Sequence, residues 1–159
     1  ISPGYTVEEK NKKVAKSLRT KITQIFSGGQ PVEEILPGGS MALGTTLDPS
    51  IIKSDSLTGS VVGLPGKLPP IHYQVNLETF LLDRVVGTKD ETEVKPLAKN
   101  EILMLNCNSA ATVGVVSDPS KKNTVCVLKK PICATPGDRI TISRRVGDRF
   151  RLIGYGILK

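Results

Sequence analysis

The side chains with the most chemical reach in this chain are three cysteines, one histidine and a concentration of arginines near the C-terminus. Cys107, Cys126 and Cys133 are odd in number, widely spaced and without a C-x-x-C pair. That pattern argues against a disulfide framework or a zinc site and for reduced thiols in a cytosolic protein. His72 falls on the polar side of an alternating stretch, where a solvent-facing imidazole is expected rather than a catalytic one. No Ser/His/Asp, Cys/His or paired-carboxylate arrangement is recognisable by spacing. A G-x-x-x-x-G-K-S/T segment is also absent, so nothing in this chain is expected to cradle nucleotide phosphates or hold magnesium. The chain is therefore expected not to be an enzyme, which leaves binding.

The charge balance says what is bound. Lys and Arg number 22 against 15 Asp and Glu, a formal net charge of +7. Such a surface attracts polyanions, with RNA ahead of membrane, although the same charge also serves solubility. No apolar run approaches the roughly 20 residues that a membrane helix needs. Lys10, Lys12, Lys13, Lys16, Arg19 and Lys21 crowd the segment 5–21, where Val7, Val14 and Leu18 are too sparse for a packed helix face. A solvated basic loop is expected there. Arg144, Arg145, Arg149 and Arg151 form a second concentration, suited to phosphate oxygens or to an ion-pair cluster. Gly38, Gly39 and Gly44 either let a ligand approach the backbone or merely permit turns.

The elements that position these residues read as β throughout. Fifteen glycines, eleven prolines and scattered periodicity favour many short strands and turns. At the C-terminal end, Ile140 and Ile142 alternate with Arg139, Thr141 and Ser143, a tight Val146-Gly147-Asp148 connection follows, and Phe150 to Leu158 returns. Gly154 and Gly156 suit a bend or a close backbone approach. Upstream, Thr20 to Ser27, a stretch around Met41 and Leu43, and a last strand around Val61 and Val62 are expected, with Asp48-Pro49 as a turn. Pro65, Pro69 and Pro70 mark a stiff link, which sets a boundary between units 1–66 and 67–159. Beyond it, Ile71, Tyr73, Val75 and Leu77 are placed on a core face. A charged excursion is expected over 88–95, and strands over 101–106, 112–117 and 124–129 are separated by turns at 117–119 and 121–123. Short strands with frequent turns point to small closed barrels. The opening Ile1-Ser2-Pro3-Gly4 reads as the end of a strand already under way, so a piece of a longer protein is expected.

The wording of several segments carries a family resemblance. PGGSMALGTTLDP at 37–49, SDSLTGSVVG at 54–63, KNEILMLNCNSAATVGVV at 99–116 and GDRITISRR followed by RLIGYG resemble the gamma-subunit family of eukaryotic and archaeal translation initiation factor 2. The likeness implies two small β-barrels, the second and third domains of a translational GTPase, with the opening strands of the first barrel upstream. It implies that GTP and magnesium belong to a GTPase domain outside this sequence. The implied partners are initiator methionyl-tRNA, the alpha and beta subunits of a heterotrimer and the small ribosomal subunit. By the same resemblance Gln24, Ile25 and Phe26 would line the wall of the pocket for the charged tRNA end, beside Gly38, Gly39 and Gly44. Asp48 and Asp55 would face the alpha subunit, and the arginine cluster would face the GTPase domain. The selenocysteine-specific elongation factor, with the same barrel pair, and an RNA- or protein-binding β-module without a GTPase domain are the alternatives.

Overall fold

A computed structural model describes residues 1–9, 12–87, 92–120 and 122–159. The fold is all-β, with one short 3-10 turn among the described residues, at Lys53–Asp55. Its first 66 residues hold two small open sheets. β1 (Tyr5–Glu9) pairs antiparallel with β2 (Lys12–Lys16), and β3 (Ile22–Ser27) lies between β4 (Gln30–Val32) and β5 (Ala42–Thr45). The later strands close a barrel: β6 (Ile71–Leu81), β7 (Ile102–Cys107), β8 (Ala110–Pro119), β9 (Asn123–Cys133), β10 (Arg139–Val146) and β11 (Arg149–Leu158), in the order β10-β11-β6-β9-β8-β7. The buried hydrophobic core runs from Val75 to Leu158 and is built of Val, Ile, Leu, Ala and Cys. The first 66 residues contribute none of the side chains of that core.

Closure depends on paired small and large residues. Ile140 and Ile142 are fully buried, as their alternation requires, and Gly147, at φ 61, turns the chain into β11. Inside, Gly156 leaves room for Leu77 and Gly114 for Leu105. Three contacts tie the first residues to the barrel. Ala15 N–H donates to Tyr73 Oη at 3.1 Å, Cys133 Sγ–H donates to Ser2 Oγ at 3.2 Å, and Gly59 packs on Ala110.

The structure departs from the sequence expectations in five places. The basic segment 5–21 is a β-hairpin, not a loop: Val7 stands opposite Val14, and Lys16 pairs with Glu9 at 2.7 Å. Apolar positions too few for a helix face suffice for a two-stranded ribbon. No strand forms at Val61 and Val62: the chain before them runs through turns over 51–59, ending at Gly59 with φ 83, and among the described residues only Ser2 is opposite to pair with. Val61 keeps only a single bridge to Ser2. Tyr73 is 44% exposed, because the register of β6 against β9 slips between His72 and Gln74 and turns it outward. His72 is half-buried rather than wet, with Nε2 3.0 Å from the Ala134 carbonyl oxygen. Ser117-Asp118-Pro119 is not a turn but the bulged end of β8, with Ser117 Oγ donating to Val125 O at 3.1 Å. In the expected excursion, 88–91 lie outside the described residues; beyond them Val94 N–H donates to Asp83 O at 3.1 Å and its side chain packs on the core. Lys121, in the turn expected at 121–123, also lies outside them.

Candidate functional site

The residues expected to form a pocket wall sit on the three-stranded sheet. Ser27 and Gln30 face each other across Gly28-Gly29, both at positive φ (59 and 80), a two-residue hairpin whose backbone glycine adopts without strain. On β3, Gln24 is paired with Gly44, and Phe26 with Ala42 and Pro31. Residues directly opposite share a face, so Gln24, Phe26, Gly44, Ala42 and Pro31 form one surface. Ile25, between Val32 and Leu43, is on the other. The structure thus brings Gln24 and Phe26 together and separates Ile25 from them. Gln24 is exposed and Phe26 half-buried, leaving a partly accessible aromatic ring on a surface with little side-chain bulk.

The three glycines differ in kind. At Gly44 a Cβ would lie 2.9 Å from Thr23 Oγ1 and 3.3 Å from Gln24 Cβ, so its small size serves the sheet itself. Gly38, at φ 113, faces open space and answers a backbone demand. Gly39 has neither a positive φ nor any atom within 4 Å of a Cβ. The fold places no requirement on glycine at that position.

Asp48 and Asp55 flank the turns after β5. Asp48 Oδ1 accepts from Ser50 N–H at 2.8 Å and its carbonyl accepts from Ile51 N–H at 3.0 Å, an Asx turn. That backbone hydrogen bond, followed by one from the Ser50 side chain, holds its carboxyl below the usual value. Asp55 is exposed in the left-handed region, and its carbonyl accepts from Thr58 N–H at 3.0 Å.

The basic residues divide into committed and uncommitted. Arg144 is committed: its guanidinium forks onto Glu101, with Nη2 3.1 Å from Oε2, and also donates to the carbonyls of Lys95 and Pro96 at 2.9 and 3.1 Å. It therefore clamps the segment before β7 instead of facing outward. Arg145 caps its own hairpin through Gly147 O at 3.1 Å, beside an exposed Asp148 at 3.7 Å. Arg19 and Lys21 are exposed, and Lys10 lies outside the described residues. The Lys16 ammonium is held above its usual pKa, mainly by its hydrogen bond and charge contact with Glu9. Sequence reasoning missed one arrangement on the barrel wall. The Arg139 guanidinium lies 4.5 Å from the Tyr155 ring, which stacks on Phe80 at 5.1 Å, and Phe80 is 42% exposed. Only the strand register joins these three residues.

An apolar cleft of about 500 Å³ opens beside the basic residue Arg19, lined by Leu18, Ile22, Val62, Leu64 and Leu68. The cysteines are all buried and free. Among the described residues no group of His, Cys, Asp and Glu could hold a metal ion, and no helix is long and apolar enough to cross a membrane.

Residues 73–158 match the family model described as "Initiation factor eIF2 gamma, C terminal". Over all 159 residues the chain is 50% identical to the translation initiation factor 2 subunit gamma of Methanothermobacter thermautotrophicus and 52% identical to that of Methanocaldococcus jannaschii. The corresponding protein of Pyrococcus horikoshii is 47% identical. In each case the chain spans 39% of the relative's length. A crystal structure of a bacterial selenocysteine-specific elongation factor, EF-Sec, superposes with a TM-score of 0.55 at 18% identity, over 99% of this chain and 23% of that one. That likeness is one of fold.

Proposed function

The chain belongs to the initiation factor eIF2 gamma C-terminal family, and on that premise we propose that it is the tRNA- and partner-facing portion of a GTP-binding subunit. In the intact subunit, GTP and initiator methionyl-tRNA are bound and the tRNA is delivered to the small ribosomal subunit, with alpha and beta subunits completing a heterotrimer in the cytoplasm. The residues of this chain do not fit the nucleotide: it has no phosphate loop, so GTP and magnesium belong to sequence outside it. What the chain supplies is a surface.

The observation that carries this reading is the β3–β5 face. Gln24 and Phe26 stand on it beside Gly44, and the turn before β5 holds Gly39, which the fold does not require. A half-buried ring on a face of small side chains suits packing by a methionyl side chain, a group present only on the charged tRNA, whose burial is worth about 1–3 kcal/mol. Exposed cations at Arg19 and Lys21 add a non-specific, salt-dependent attraction for phosphates.

Phe26→Ala in the full-length subunit tests the reading. Affinity for methionyl initiator tRNA is expected to fall on the order of tenfold, and affinity for the uncharged tRNA much less. Equal losses for both tRNAs would make Phe26 a structural residue of its sheet and remove the basis of the assignment.

A further inference from the structure

A second groove, with no residue in common with the β3–β5 face, runs between the β1–β2 hairpin, the turns at 50–60 and the barrel strands β8 and β9. It has an inner pocket of about 130 Å³ and an outer opening of about 450 Å³, joined through Thr6, Ser56 and Lys130. Its floor is set by Gly59, at φ 83, which lets the turn rest on the barrel: a Cβ there would lie 2.9 Å from Ala110 Cα.

Among the described residues the lining contains one cation, Lys130, and no carboxylate. Three of its hydroxyls are used internally, that of Ser50 by the Asp48 carboxyl. Ser56 Oγ donates to the Ile51 carbonyl. Thr112 Oγ1 donates to Lys130 O at 2.8 Å and accepts from Lys130 N–H at 3.0 Å, which fixes the backbone that carries the lysine. The hydroxyls of Thr6, Thr58, Ser60 and Ser109, and the Lys130 ammonium, have no protein partner among the described residues.

From this arrangement we infer that the groove is a phosphate-binding site, with the phosphate held between Lys130 and the hydroxyls of Thr58, Ser60 and Ser109. A lysine acts as a point charge toward phosphate, and hydroxyl donors satisfy the remaining oxygens. Among the described residues no lining carboxylate competes for the ammonium or offers a ligand set for a cation. The inner pocket is well below the roughly 300 Å³ of a drug-sized ligand site, so it takes the phosphate group alone. Whatever the phosphate is attached to lies in the outer opening, against Tyr5 and Ser50. A nucleic-acid backbone and a small phosphate compound present the same group to this pocket.

Titration of the chain with inorganic phosphate at constant ionic strength, followed by amide resonances, tests the inference. Saturable shifts are expected at 58–60, 109–112 and 130. Lys130→Gln, at an exposed side chain, should weaken binding on the order of tenfold, and Thr58→Val by a smaller factor. A single-stranded RNA oligonucleotide that moves the same amides identifies a nucleic-acid backbone as the source, whereas an effect of phosphate without one of RNA identifies a small compound. Shifts that do not saturate, that spread over Arg19 and Lys21, or that persist undiminished in Lys130→Gln would overturn the site.

Discussion

Gly156 and Leu77 meet inside the barrel so closely that a Cβ on the glycine would lie 2.7 Å from Leu77 Cβ, and Leu77 has no exposed surface. Neighbouring Gly154 is equally confined, with Leu81 Cα 2.9 Å from where its Cβ would stand. The seam between β11 and β6 that closes the barrel thus depends on two missing side chains. Gly156→Ala is expected to cost about 1–3 kcal/mol, the usual penalty for overpacking a dense core. Chemical denaturation measures it, and an unchanged midpoint would mean that the seam can widen freely.

Burial pushes the Cys126 thiol up to about 11, with a smaller contribution from the Glu101 charge. The folded state therefore holds this proton more tightly than the unfolded chain, whose thiol titrates near the ordinary 9.0. The stability this represents is complete below pH 9, declines as pH rises and is gone above about 11. Stability is expected to fall by about 2–3 kcal/mol across that window, and Cys126→Ala to remove the dependence. Slow alkylation of native protein at pH 8 and rapid alkylation in denaturant would accompany it; fast native alkylation would contradict the buried, protonated thiol.

The closing hairpin was legible because each local signal agrees there: Ile140 and Ile142 alternate, Gly147 suits the turn, and two glycines mark a close approach. Other parts were hidden for physical reasons. In β1 and β2 the charges obscured the pairing of Val7 with Val14, since a two-stranded ribbon needs so little apolar surface. Tyr73 looked like a core residue because a bulge leaves no mark in a period-2 pattern. The assignment of Gln24, Ile25 and Phe26 to one wall overlooked that same period, which sends Ile25 to the opposite face. Gly39 and Gly44 are indistinguishable as letters; only the register of β5 against β3 shows which one the fold needs.

The depressed carboxyl of Asp48 gives its turn a pH signature. Its contribution is present above the ordinary carboxylate value of 3.8 and is lost as pH falls through the lower folded value. The Ser50 amide resonance should therefore hold its position down to that range and move only below it. Asp48→Ala should remove the effect, whereas movement beginning well above pH 4 would mean the Asx turn is not formed in solution.

Asp55 separates a turn role from a partner role. Its φ of 55 suits Asp or Asn, and a long side chain there carries a backbone cost of about 1–2 kcal/mol. Asp55→Asn keeps the turn and removes the charge, so it isolates the electrostatic contact proposed with the alpha subunit. Capture of that subunit is expected to weaken several-fold with Asp55→Asn and further with Asp55→Lys, where repulsion replaces attraction. Undiminished capture by both variants would exclude Asp55 from that interface.

The central claim is that the β3–β5 face and the turn before it form one wall of the site for the charged end of tRNA, and Gly39 tests it most directly because the fold leaves that position free. Gly39→Trp in the full-length subunit is expected to leave the thermal midpoint unchanged, since a Cβ there has no protein atom within 4 Å and the backbone needs no positive φ. Binding of methionyl initiator tRNA measured on the same preparation should fall by on the order of tenfold or more, with uncharged tRNA affected far less. Unchanged affinity for the charged tRNA, or an equal loss for both tRNAs, would contradict the account.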